Sequence, residues 1–260
     1  MDSLAALVLG FVQGLTEFLP VSSSGHLVIA AELLGAQQEG ILFEIAVHLA
    51  TLVAVLIFYR QRIFDLLRGT LSGDAAAWSY VGKLGLATLP AVVAGLAARD
   101  FFESLFGAPG VVGVALLFTG CVLWTTKRSW AGASASEPTW LQAFLIGCAQ
   151  VVAIVPGISR SGTTVAAALA LGVAPVAAAE FSFLMSVAAI AGAAVLMLPD
   201  ATAASPEALR AMALGGGAAL VSGLAALWLF VRLLRSGSFH RFAWYAWAAG
   251  ATFLAWLALR

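Results

Sequence analysis

Two apolar stretches of this chain are broken by polar loops, and the loops carry its reactive side chains. The first loop is Pro20-Val-Ser22-Ser23-Ser24-Gly25-His26, with Gln13 and Glu17 just before it. The second is Pro156-Gly-Ile-Ser159-Arg160-Ser161-Gly162-Thr163-Thr164, with Gln150 just before it. A serine beside His26, with the Glu17 carboxylate ahead of the loop, supplies the parts of an activated nucleophile. Capping of the returning helix is the plain alternative, and it accounts for one serine better than for Ser22, Ser23 and Ser24 plus a histidine. Gln13 and Glu17 stand four residues apart and share a helix face. There they hold a metal or a water, or they make an interhelical polar contact. In the second loop a guanidinium, hydroxyls and a helix N-terminus converge, which suits an anion and, with the planar fork of arginine, a phosphate. A structural pair between Arg160 and Glu17 is the alternative reading of that arginine.

The elements that must position these residues belong in a membrane. The chain has 260 residues, 62% of them apolar and only 10% charged, with a net charge of zero. A soluble domain carries roughly 25% charged residues, and a nucleic-acid binder needs a basic stripe that is missing here. Cys121 and Cys148 lie in apolar runs and give no disulfide framework. The first apolar run holds Gln13 and Glu17 and lacks a basic start, which argues against a cleaved signal peptide. Six stretches approach the ~20 apolar residues of a bilayer span: about Ile41–Tyr59, Tyr80–Ala98, Val111–Thr126, Ala178–Leu198, Ala213–Leu234 and Phe242–Leu259. The halves of the two broken stretches, Leu4–Leu34 and Leu141–Leu171, are each short for a span. Irregular backbone at membrane depth requires protein or a water-filled cavity around it, so both stretches read as re-entrant helical hairpins.

The broken stretches also resemble each other, and Glu44 and Glu180 occupy matching places near the next span. The expected fold is therefore an all-α polytopic membrane protein, a single integral domain over 1–260. It consists of two repeats, about 1–126 and 139–260, each with one re-entrant hairpin and three spans. Three crossings invert the second repeat, so the two hairpins meet near the midplane. Arg60, Arg62, Arg68, Lys127, Arg128, Arg232, Arg235 and Arg241 collect on one side, which the positive-inside rule assigns to the cytoplasm. Arg99, Arg210 and Arg260 fall on the other side with Asp100, Glu103, Asp200 and Glu207, and both termini lie there too. Segments Ser72–Ala77 and Ser129–Pro138 read as connectors. Glu44 and His48, four apart on a span, read as a hydrogen-bonding pair packed on the hairpin, and Glu180 beside Ser182 reads the same way. The tryptophans suit interfacial belts and contact with membrane lipids.

A nucleophile-rich loop facing an anion-binding loop inside a bilayer points to a lipid phosphate or diphosphate. Gln13-x-x-x-Glu17 followed by Phe-Leu-Pro-Val-Ser-Ser-Ser-Gly-His26 resembles the first signature of the undecaprenyl-diphosphate phosphatases, the bacitracin-resistance family, and Pro156 to Thr164 resembles the second. Phe43 to His48 and Glu180 to Ser186 are similar to further family segments, so the resemblance spans nearly the whole chain. Gln13 stands where many members carry Glu, and Ser24 where threonine is common. The resemblance implies an enzyme of the bacterial cytoplasmic (inner) membrane that removes the terminal phosphate of undecaprenyl diphosphate to recycle the lipid carrier. Its site opens to the extracytoplasmic face, and magnesium or calcium supports its activity. The expected catalytic residues are Glu17, Ser23, His26 and Arg160. Ser23 attacks phosphorus, His26 and Glu17 handle its proton, and Arg160 holds phosphate oxygens; alternatively Glu17 with Gln13 holds the divalent ion, or water attacks directly. Gln13, Ser22, Ser24, Ser159, Ser161, Gly162, Thr163 and Thr164 are the expected substrate-binding residues.

Two rivals remain. The other class of membrane lipid phosphatase needs a histidine six residues after its arginine, where this chain has Ala166. A transporter or flippase would use the same inverted-repeat site without cleaving the lipid.

Overall fold

The computed structural model describes residues 2–34, 41–197 and 205–260. Leu198, the end of the fourth expected span, and Asp200 lie outside the described residues. Within them the chain is helical, apart from one isolated bridge between Ala135 and Val173. The helices are α1 (Ser3–Phe18), α2 (Ser23–Leu34), α3 (Ile41–Phe58), α4 (Arg60–Leu71), α5 (Ala75–Ala97) and α6 (Arg99–Phe106). They continue with α7 (Pro109–Ser129), α8 (Trp140–Val152), α9 (Arg160–Ala170), α10 (Pro175–Met197), α11 (Pro206–Arg235) and α12 (Phe242–Leu259).

Five segments are long and apolar enough to cross a bilayer, in α5, α7, α10, α11 and α12. A sixth forms if α3 and α4, bent 75° at Tyr59, count as one span. The molecule is thus a multi-pass helical membrane protein. Helices α1 and α8 are apolar but shorter, 16 and 13 residues. At 1.5 Å per residue neither reaches across a ~30 Å hydrocarbon core.

Caps fix several starts. Asp74 accepts from the Ala76 N–H ahead of α5, and Ser205 accepts from Ala208 ahead of α11. Thr139 and Gln142 form a reciprocal capping box at α8. The charged segments 60–71 and 99–106 are the amphipathic helices α4 and α6. Phe64 and Phe101 face outward, while Leu66 of α4 packs into the core. The connector before α8 is pinned. Ser134 and Ala135 donate to the Gly172 carbonyl, and Glu137 reaches the buried ammonium of Lys83 at 3.1 Å.

Close backbone approach joins the short helices to the spans. A Cβ on Gly14 of α1 would lie 2.3 Å from the Ala219 carbonyl of α11, and one on Gly147 of α8 would lie 2.3 Å from that of Ala87 in α5. Small residues serve this purpose where lipid supplies no hydrophobic drive between helices. A line of buried rings, Phe18–Phe183–Phe230–Phe239, then ties α1, α10 and α11 together, with centroids 5.6, 4.9 and 5.3 Å apart.

Candidate active site

Helix α1 ends at Phe18 because Leu19 turns to an extended conformation ahead of Pro20. That stop leaves Glu17 in the last turn of α1, beside the start of α2. Helix α8 ends at Val152 without an extended cap, and after turns through Pro156 and Gly157 the second loop restarts the chain at α9, whose first residue is Arg160. Ser159 caps α9 by accepting from the Gly162 N–H at 3.1 Å, and Ser22 accepts from the Gly25 N–H at 3.3 Å. The loops pack directly on each other. A Cβ on Gly25 would stand 3.0 Å from the Gly157 Cα, and Gly157 itself sits at φ 96° with no room for a side chain against Val112. Thr119 of α7 clamps the second loop, donating to the Gly157 carbonyl at 2.9 Å and accepting from the Ser159 N–H at 3.1 Å.

This packing brings together residues far apart in sequence. Ser23 Oγ donates to Glu17 Oε2 at 2.7 Å, and Arg160 donates to Glu17 Oε1 at 2.5 Å. Gln13 Nε2 donates to Oε2 from behind at 3.1 Å. The Glu17 side chain is 7% exposed and that of Arg160 17%, so the pair is held in a low-dielectric setting with full hydrogen bonding. The alternative pairing of Arg160 with Glu17 is therefore what the geometry contains. A single N–H of a guanidinium with five donors accounts for it, and Arg160 still lines the cavity.

The cavity has a volume of about 260 Å³. Glu17, Ser22, Ser23, Ser24, Ser159 and Arg160 line it from the two loops. Glu44 and His48 line it from α3, and apolar groups including Phe106 and Ile190 complete its wall. Sequence reasoning treated Glu44 and His48 as packing residues. Their four-residue spacing is the same for a packing pair and for a cavity wall, and only the fold shows which way the face turns. His48 Nδ1 bonds the Glu44 carbonyl oxygen at 2.8 Å, which leaves Nε2 without a partner among the described residues.

Other expected residues stand elsewhere. His26 does not reach Ser23: its Nδ1 meets the Ser22 carbonyl at 2.8 Å and its Nε2 meets the Tyr245 hydroxyl at 2.7 Å. Thr164 is fully buried between the Arg160 carbonyl and Ser182 Oγ. Ser161, Gly162 and Thr163 are also packed inside α9's contacts, away from the cavity lining. Gln13 is buried behind Glu17 with its Oε1 unpartnered. Glu180 pairs with Arg62 at 2.8 Å and accepts from the Tyr80 hydroxyl, apart from the cavity.

A shared carboxylate, a serine hydroxyl and a guanidinium on one cavity wall form a unit that can move a proton and hold an anion. Comparison with known proteins identifies the family. The family model described as Bacitracin resistance protein BacA matches residues 6–252. The chain is 41% identical over 260 residues to the undecaprenyl-diphosphatase of Carboxydothermus hydrogenoformans, covering 98% of this chain and 97% of that protein. It is 39% identical over 180 residues to undecaprenyl-diphosphatase 2 of Stutzerimonas stutzeri, covering 64% of this chain and 65% of the relative. It is 38% identical over 169 residues to undecaprenyl-diphosphatase 3 of Acinetobacter baylyi, covering 64% of each. With a match across nearly its whole length and a relative this similar end to end, the chain belongs to the bacitracin resistance protein BacA family.

Proposed function

We propose that this protein hydrolyses undecaprenyl diphosphate to undecaprenyl phosphate and inorganic phosphate, which recycles the lipid carrier of peptidoglycan synthesis and confers bacitracin resistance. The names of its family and relatives support this. The structural observation that carries it is the Ser23–Glu17–Arg160 unit on the cavity wall.

Ser23 Oγ attacks the terminal phosphorus and its proton passes to Glu17 Oε2, 2.7 Å away. The bond from phosphorus to the bridging oxygen breaks, and the lipid phosphate leaves. The guanidinium donors of Arg160 that are not used on Glu17 hold the phosphate oxygens as charge shifts. The N-termini of α2 and α9, both at the cavity, add favourable dipoles. Water then attacks phosphorus, the phosphorus–Ser23 oxygen bond breaks, the serine recovers its proton from Glu17, and both hydrogens of the water leave on the inorganic phosphate as H2PO4−. Such catalysis is positioning and electrostatics for the most part.

Toward a hard divalent cation, magnesium or calcium, the cavity offers the oxygen donors of Glu17 and Glu44. Gln13 is buried behind Glu17 outside the cavity lining, and no group of three or more histidine, cysteine or acidic side chains is arranged to hold a metal among the described residues, so the protein would supply only part of such an ion's coordination. Such an ion, when bound, neutralises negative charge on the diphosphate. Glu44 adds a cavity-facing carboxylate to the pair Gln13 and Glu17 expected from sequence.

The inverted-repeat, re-entrant arrangement is supported by matching contacts: α1 packs on α11 as α8 packs on α5, and the two loops meet at Gly25 and Gly157. A site open to the outer face of the inner membrane is supported by the cavity's walls. They come from the start of α3, the far half of α10 and α6, all on the acidic, arginine-poor side. The test is phosphate release from undecaprenyl diphosphate by purified protein in detergent, with and without chelator. Release that the chelator suppresses is expected. Binding without release would mean a transporter instead.

A further inference from the structure

The first loop contains an unusual backbone conformation. Ser22, at φ 68°, is the one non-glycine residue at positive φ among the described residues. A residue with a Cβ is sterically disfavoured there, and such outliers persist only where their surroundings hold them. The holder is His26. Its backbone N–H donates to the Ser22 carbonyl at 3.2 Å, and its Nδ1 meets the same oxygen at 2.8 Å. A carbonyl only accepts, so Nδ1 carries the proton, and Nε2 of the neutral ring is an acceptor. That acceptor meets the hydroxyl of Tyr245, 219 residues away on α12, at 2.7 Å, with the two rings stacked at 9°. The Ser22 carbonyl thus fixes the tautomer, and the tyrosine holds the plane of the imidazole. The second loop has no such clamp: Ser159 caps α9 at an ordinary φ of −70°, and Thr163, four residues on, makes no side-chain bond. The clamp is found only in the loop that carries Ser23.

We propose that Tyr245 and His26 are positioning residues: together they hold Ser22 in its left-handed turn, and this turn aims Ser23 Oγ at Glu17. The proposal rests on the phosphatase reading of the Ser23–Glu17–Arg160 unit. It gives His26 no proton to transfer, since both ring nitrogens are committed and neither faces Ser23.

The experiment compares His26→Ala, His26→Asn and Tyr245→Phe in the full-length protein in detergent, with undecaprenyl diphosphate as substrate. kcat, KM and melting temperature are measured for each. Asparagine keeps an N–H for the Ser22 carbonyl but has no group that shuttles a proton. Misplacing a reacting group by about 1 Å costs on the order of 100-fold, so His26→Ala should lose about that much kcat with KM little changed. His26→Asn should stay within about fivefold of the parent, and Tyr245→Phe should lose roughly 3- to 10-fold in kcat alone, as partial misplacement predicts. An Asn variant as inactive as the Ala variant would show that the imidazole itself moves a proton and would overturn the proposal. A Tyr245→Phe enzyme with the parent kcat would remove the tyrosine from it. If His26→Ala does not fold, the Asn and Phe variants still decide. A parent protein that releases no phosphate would sink the phosphatase reading and this proposal together, whereas His26→Ala and Tyr245→Phe enzymes with the parent kcat, in an active parent background, sink the proposal alone.

Discussion

Glu17 serves two partners with its two oxygens, and the consequences can be separated by mutation. Arg160→Ala leaves a buried carboxylate unpaired, a change that costs about 3–5 kcal/mol in stability. It also removes the group that stabilises transition-state charge, so phosphate release should fall at least ~100-fold. Adding Glu17→Gln should recover most of the lost melting temperature and none of the activity. Full recovery of both would reduce Arg160 to a structural cation. Arg160→Lys keeps charge without the fork and should also fall well short of the parent. Among the serines, Ser23→Ala should abolish turnover while lipid binding survives, whereas Ser22→Ala and Ser24→Ala keep more activity. Their hydroxyls bond each other at 3.3 Å rather than Glu17. Rapid-quench mass spectrometry should find phosphoserine at Ser23, and full activity of Ser23→Ala would point to direct attack by water. At this scale the sequence was readable where polar residues broke an apolar run, as at Ser23, Glu17 and Arg160. It was ambiguous at Glu44 and His48, since a spacing of four records a shared face and not what that face meets. Sequence grouped His26 with Ser23 and gave no sign of Tyr245, the ring partner the structure shows, which lies 219 residues away in an otherwise apolar helix.

At the scale of elements, the site depends on how closely two short helices approach their spans. Gly14 of α1 lies one turn before Phe18 and presses on Ala219 and Ser222 of α11. A Cβ there would meet backbone oxygen at 2.3 Å, and backbone cannot move aside as a side chain can. Gly14→Ala should therefore push α1 off α11, lower the melting temperature and, by shifting Glu17, reduce kcat. Gly95→Ala, on α5 where an added Cβ meets nothing within 4 Å, is the control and should do neither. Equal melting temperatures for the two variants would contradict the packing argument. Spans were readable from hydropathy alone, since lipid exposure demands long apolar runs. Helices α4 and α6 were not, because interfacial helices keep charges on one face and read as polar connectors. Lys83 shows the same limit inside a span: its burial follows from Glu137, supplied by a connector far along the chain.

At the scale of the whole molecule, orientation decides which compartment the cavity serves. Arg60 and Arg68 lie at one end of the bundle with Lys127, Arg128, Arg232 and Arg235, at the C-terminal ends of α7 and α11. Cations near span ends are retained on the cytoplasmic side. The cavity draws on the opposite ends, through Glu44 near the start of α3 and Phe106 at the end of α6. Two positions report on this directly. Ser72 follows α4 and Ser205 caps α11, and both are exposed or lie beside exposed residues. In a background with Cys121 and Cys148, both free thiols, replaced by alanine, Ser205→Cys should react with a membrane-impermeant maleimide on intact cells. Ser72→Cys should react only after permeabilisation. The reverse pattern would turn the cavity toward the cytoplasm, where a diphosphate lipid released outside could not reach Ser23 without first crossing the membrane.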